Sequence, residues 1–168
     1  FMKPETITKQ IFKIIPALLL VALSAFLLQG DVWTFWTWYL LALVMGVAAM
    51  PLTGRLFRRF QDRGWMFSKV TAIAVSGFLT WFLVAVKIIK FTTGTCIVVT
   101  LVCAAASLIL YCREQKAGFE CIRFVRLDLV YAEELLFFAA FLLWTYFAGF
   151  HPAAYGTEKF MDYGFMEA

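Results

Sequence analysis

Apolar residues run along this chain in five long stretches, which short polar segments separate. The stretches cover residues 11–28, 32–52, 70–86, 96–112 and 129–150. A helix needs roughly 20 mainly apolar residues to cross the hydrocarbon of a bilayer, and each stretch is close to that length. The pattern therefore predicts an all-α fold, a polytopic helical membrane bundle with about five transmembrane helices.

The ends of the first two stretches carry the residues expected at helix boundaries. Pro16 lies in the first turns of the first stretch, where a missing amide donor costs least. Residues 29–31, Gln-Gly-Asp, predict a tight turn, and Pro51 and Gly54 close the second stretch. Aromatic residues that are typical of the membrane–water boundary begin the second stretch: Trp33, Trp36, Trp38 and Tyr39.

Basic residues divide unequally when the loops are assigned alternately to the two sides of the membrane. One side receives twelve of them: Lys3, Lys9, Lys13, Arg55, Arg58, Arg59, Arg63, Lys69, Arg113, Lys116, Arg123 and Arg126. The other side receives three: Lys87, Lys90 and Lys159. Because cytoplasmic loops are enriched in Lys and Arg, the N-terminus is predicted in the cytoplasm. Residues 1–150 then form a transmembrane domain and residues 151–168 an external tail.

Composition excludes several classes of protein. Of the 168 residues, 63% are hydrophobic, which is too much apolar surface for a soluble domain of this size. The net charge of +4 lies in loops rather than along one soluble face, so no nucleic-acid partner is predicted. The four cysteines have no CxxC spacing, which argues against a zinc or iron–sulfur site: Cys96, Cys103, Cys112 and Cys121. We expect a multi-pass protein of the cell membrane that contacts lipid.

The segment 55–67, RLFRRFQDRGWMF, is basic and aromatic together. Its spacing fits a short interfacial helix, with apolar residues on one face and arginines on another: Leu56, Phe57 and Phe60 against Arg55, Arg58 and Arg59. Such a helix could recognise anionic lipid. It could also be an ordinary cytoplasmic connector that obeys the charge rule, and the pattern alone favours the connector.

Glu133 and Glu134 lie inside the fifth apolar stretch. Ionisable residues within a bilayer are costly and usually face protein, water or a counter-charge. A proton or ion relay is one hypothesis, but no other acid continues a path across the membrane. We therefore expect a pair close to the cytoplasmic interface, in which Glu134 faces the bundle with an Arg, Lys or hydroxyl partner.

The tail contains a second acidic pair. Glu158 and Asp162 are four residues apart, so they would share one face of a helix that Thr157 could cap. Paired carboxylates can hold a divalent metal or act as a general base. The same residues also fit a short amphipathic segment on the outer surface, and chemistry alone favours that segment. His151 is interpreted as an interfacial residue, although an axial ligand role stays open.

The tail sequence GTEKFMDYGFM resembles the Glu-Lys-x-Met-Asp-Phe/Tyr motif of the YYY membrane protein family of prokaryotes. Three upstream features agree with that family in the same order: PLTGRLFRRFQDRGWMFSK, Trp81 and EELLFFAAFLLW. The resemblance extends from about Tyr39 to the last residue. Together the ordered motifs are more specific than any one of them.

The resemblance implies a relation to GT-C glycosyltransferases, which take a sugar from a polyprenyl-phosphate carrier on the non-cytoplasmic side. By this resemblance Asp162 would be the base or metal-binding acid, Glu158 its partner and Lys159 a contact for the donor phosphate. No cofactor is firmly implied, and a divalent metal is possible. The family continues beyond this motif, so the chain is expected to be the N-terminal part or a small relative of such an enzyme. The alternative is a non-catalytic accessory subunit packed against other membrane subunits.

Overall fold

The computed structural model describes residues 4–116 and 126–150, and it places them almost entirely in helices. The helices are α1 (Pro4–Leu28), α2 (Val32–Leu56), α3 (Trp65–Ala85), α4 (Thr93–Lys116) and α5 (Leu127–Gly149). A 3-10 turn at Gln29–Asp31 separates α1 from α2. No strand occurs in these described ranges, so the all-α prediction is confirmed.

Three helical stretches of the described chain are long and apolar enough to cross a membrane. They are Ile14–Leu56, Trp65–Ala85 and Thr93–Arg113. The first has 43 residues and includes both α2 and most of α1, which is about the length that two crossings need. The fifth helix, α5, is not among the three. The count of five crossings and the side of each terminus stay predictions.

The chain divides into two compact units. One unit is Trp33–Phe138, which contains almost all of α2, all of α3 and α4, and the first half of α5. The other contains the described parts of residues 1–32 and 139–168. In this second unit Ser24 donates to the Val21 carbonyl at 2.7 Å, a local bond that lets a hydroxyl lie in an apolar helix.

The segment between α2 and α3 forms turns rather than the predicted interfacial helix. The Phe60 amide donates to the Phe57 carbonyl and the Arg63 amide donates to the Phe60 carbonyl, so each bond closes one tight turn. Gly64 then adopts φ +78°, which favours glycine, and a Cβ there would lie 2.7 Å from the Phe57 ring. This left-handed residue stops any helix and sets the start of α3 at Trp65, before the predicted start at residue 70.

Candidate functional site

The Glu134 carboxylate accepts hydrogen bonds from side chains on two other helices. Its Oε1 accepts from the Tyr39 hydroxyl at 2.7 Å. Its Oε2 accepts from Trp65 Nε1 at 2.9 Å and from Lys69 Nζ at 2.6 Å. Tyr39 belongs to α2, Trp65 and Lys69 to α3, and Glu134 to α5. We call these four residues the Glu134 hub, since they join three helices through one carboxylate.

Lys69 supplies the counter-charge to Glu134 and is the more buried residue of this ion pair. Its side chain is 3% exposed, and that of Glu134 is 19% exposed. The ammonium nitrogen lies 4.9 Å from the centre of the Trp65 ring and 4.5 Å from that of Phe137, within cation–π range. A buried ion pair stabilises a fold only when geometry and further hydrogen bonds offset desolvation. Here the ion-pair contact is short, at 2.6 Å, and Tyr39 and Trp65 donate further hydrogen bonds to the same carboxylate.

The hub rests against aromatic rings of α2 and α5. Tyr39 stands edge-on to Phe138 with ring centres 4.8 Å apart, and Phe35 does so at 5.4 Å. All three rings are buried. Edge-to-face pairs at these distances are favourable beyond the area that they bury. The tyrosine hydroxyl is therefore held in place by packing as well as by Glu134.

Gly46 makes room for the lysine. A Cβ at Gly46 in α2 would lie 2.8 Å from Lys69 Cγ and 3.0 Å from Ser68 Oγ on α3. The Ser68 hydroxyl is itself tied to the Trp65 carbonyl at 2.7 Å. Small residues permit close approach of membrane helices, and here the close approach lets the lysine stem pass between them.

We expect Gly46→Ala to destabilise the fold by about 1–3 kcal/mol, because the added methyl overpacks the Lys69 stem. Gly77→Ala is the matched control: nothing lies within 4 Å of a Cβ at that position of α3. There the substitution should be neutral or stabilising by up to about 1 kcal/mol. Reversible unfolding of both variants in mixed micelles measures the difference. Equal stabilities for the two would contradict the close contact.

Glu134 has the predicted types of partner, a lysine and a hydroxyl. Tyr39 lies 17 residues before Leu56, or roughly 25 Å of helix from the end of α2 that is predicted to be cytoplasmic. Trp65 and Lys69 instead lie in the first two turns of α3, at its predicted cytoplasmic end. The expected position of the pair near the cytoplasmic interface therefore stays a prediction.

Glu133 has a different environment from its neighbour. Its Oε2 atom is buried and meets no hydrogen-bond donor among the described residues. The Asp62 carboxylate repels a negative charge on Glu133, while the Lys69 ammonium attracts it. Asp62 is 5% exposed. Glu133 therefore lacks the set of donors that surrounds Glu134.

The remaining predicted site residues lie outside the described ranges: His151, Glu158, Lys159 and Asp162. Within 4–116 and 126–150, no three His, Cys, Asp or Glu side chains are grouped to hold a metal. Sequence reasoning missed three hub residues. Tyr39 was grouped with the boundary aromatics, Lys69 with the loop charges, and Trp65 was given no role. The available signal was that an intramembrane acid requires a cationic partner.

A groove of about 380 Å³ opens between α2, α3 and α4 within the Trp33–Phe138 unit. Its lining is almost wholly apolar, with Leu41, Val44 and Leu101 among its walls. Ser107 lies on it with a buried hydroxyl that has no partner among the described residues. The groove suits an apolar chain, but it offers no charged group for chemistry.

Comparison with known proteins gives one family. The model described as "Uncharacterized membrane protein (DUF2298)" matches residues 75–168, more than half of the chain. The matched segment contains the end of α3, all of α4 and α5, and the acidic tail. No curated protein and no solved structure matches significantly.

Proposed function

This chain belongs to the family of uncharacterised membrane proteins designated DUF2298, and from that premise we propose a GT-C-like glycosyltransferase function, of which this chain supplies the N-terminal part or a small form. The donor would be a sugar on a polyprenyl phosphate. The observation that carries the proposal is the extent of the family match. The matched segment includes both α5 and the Glu158–Asp162 motif without a break. Helix and motif are therefore parts of the same family domain.

The proposed chemistry uses three residues of the tail. The Asp162 carboxylate takes the proton of the acceptor hydroxyl, and the acceptor oxygen then forms a bond to C1 of the sugar. The bond between C1 and the phosphate oxygen breaks, and polyprenyl phosphate leaves with its electron pair. Lys159 offsets the negative charge that develops on that phosphate. Glu158 would be the partner of Asp162, and the two carboxylates together would be able to hold a divalent metal.

The Glu134 hub has no catalytic role in this proposal. Its carboxylate already accepts hydrogen bonds from three donors of the protein. Those bonds fix the first half of α5 against α2 and α3. The tail follows α5 directly in the sequence.

A second candidate is a non-catalytic accessory subunit of a membrane complex. The same hub favours it, because Tyr39, Trp65 and Lys69 all donate to Glu134 and the lysine is almost fully buried, so the hub stabilises helix packing rather than binding a substrate. Lipid-embedded helices also associate by packing alone. In this case the tail would be a docking segment for larger subunits in the cell membrane.

Sugar transfer separates the two candidates. The protein is purified in the form that the cell makes, reconstituted in liposomes and given a radiolabelled polyprenyl-phosphate hexose as the donor. The enzyme proposal predicts release of the labelled sugar to an acceptor or to water. Absence of release, with the protein held in a stable complex with larger membrane chains, would overturn it in favour of the accessory subunit.

A further inference from the structure

The segment between α2 and α3 presents a cluster of positive charge. Four arginines fall within nine residues: Arg55, Arg58, Arg59 and Arg63. The first three are exposed and the last is half-buried. Arg55 lies in the last turn of α2, and consecutive tight turns carry Arg58, Arg59 and Arg63. We call these four residues the basic surface.

The one acid of this segment does not neutralise the basic surface from outside. Asp62 is almost fully buried, and its interaction is with Glu133 of α5. The exposed part of residues 55–63 therefore carries positive charge without an exposed carboxylate. This one-sided distribution is electrostatically complementary to an anionic partner.

Large apolar side chains lie exposed among the arginines. Leu56 is 64% exposed and Phe60 is 52% exposed. Their neighbour Phe57 is half-buried, and its ring stacks on Phe67 at 5.1 Å and meets the Phe60 ring edge-on at 5.6 Å. Leu56 and Phe60 thus lie exposed between guanidinium groups. This arrangement suits the membrane interface, where acyl chains meet phosphate groups.

We propose that the basic surface binds the phosphate groups of anionic phospholipids in the cytoplasmic leaflet, with Leu56 and Phe60 inserted between the acyl chains. The guanidinium fork fits two phosphate oxygens at once. The charge asymmetry of the loops assigns this segment to the cytoplasmic side, where the leaflet surface is negative. This inference is independent of glycosyl transfer.

Lipid binding by the delipidated protein in neutral detergent tests the proposal. Native mass spectrometry measures the affinities for phosphatidylglycerol and phosphatidylcholine with the same acyl chains. We expect phosphatidylglycerol to bind at least about tenfold tighter, and Arg59→Gln with Arg63→Gln to weaken it roughly 30-fold. Arg59 and Arg63 are chosen because Arg55 and Arg58 make further contacts within the protein.

Two control variants accompany this pair. One removes two charges at another place, and the other keeps the charge at the same two positions. Arg113→Gln with Lys116→Gln removes two exposed charges from the same predicted side and should leave the affinity unchanged. Arg59→Lys with Arg63→Lys keeps the positive charge but removes the guanidinium fork. This variant should lose only part of the affinity for phosphatidylglycerol. If both glutamine pairs lost the same affinity, the effect would come from overall positive charge rather than from the basic surface. That result would overturn the proposal. So would equal affinities of the wild type for both lipids, or full competition by inorganic phosphate.

Discussion

Glu134→Gln should destabilise the protein by about 3–5 kcal/mol, because it leaves the Lys69 ammonium buried without its counter-charge. Lys69→Met should destabilise the protein by a similar amount, because it leaves the Glu134 carboxylate without its counter-charge. The double variant should lose less than the sum, since both charges are then absent and the glutamine oxygen still accepts from Tyr39 or Trp65. Unfolding in mixed micelles gives all four free energies of the cycle, with a coupling of about 1–3 kcal/mol expected.

Glu133→Gln is the matched control for this cycle. It makes the same chemical change one residue away, at a carboxyl whose buried oxygen has no donor among the described residues and which Asp62 repels. Removing that charge relieves repulsion, so its effect should stay within about 1 kcal/mol or be stabilising. Equal losses for Glu133→Gln and Glu134→Gln would contradict the hub.

The second large effect concerns catalysis. If Asp162 is the base, Asp162→Asn should lower sugar transfer by at least roughly a hundredfold, because it removes the proton acceptor with little change of volume. Folding should be unaffected, which the unfolding midpoint of the same sample reports. The measurement is the initial rate of transfer from the labelled polyprenyl-phosphate hexose in liposomes.

Asp31→Asn is the control for Asp162→Asn. Asp31 is an exposed acid of the turn between α1 and α2, on the side predicted to be external, and it has no proposed role. Its substitution should leave the transfer rate unchanged. If Asp162→Asn transfers sugar as fast as Asp31→Asn, the carboxylate is not the base. In that case Phe160→Asp, which should detach an amphipathic tail from the membrane, tests the anchoring alternative.

Hydrophobic pattern alone predicted the all-α membrane fold. Each apolar stretch is long, and a bilayer leaves few alternatives to helices for such stretches. The turns at residues 57–64 could not be predicted in the same way. Spacing placed Leu56, Phe57 and Phe60 on one helical face, whereas the structure packs Phe57 against Gly64 and leaves Phe60 exposed. Two consecutive left-handed residues, Arg63 and Gly64, end these turns, and helical spacing does not reveal them.

The hub was predictable in kind but not in its members. The cost of an intramembrane carboxylate required a polar partner for Glu134. Lys69 could not be identified because a lysine near a span boundary looks like one more charge of a cytoplasmic loop. Tyr39 looked like its neighbours in an aromatic belt, yet it is buried while Trp33 and Trp38 are exposed. Only the packing of α2 against α5 distinguishes these rings.

The sidedness of the chain is the claim on which the basic surface and the acidic tail both depend. It is tested most directly in a variant without native cysteines that carries a single cysteine at Gln61 or at Tyr155, treated in intact cells with a membrane-impermeant thiol reagent. The account predicts that the cysteine at position 155 is labelled from outside. The cysteine at position 61 should be labelled only after the cells are opened. Labelling of both positions from outside would contradict the account.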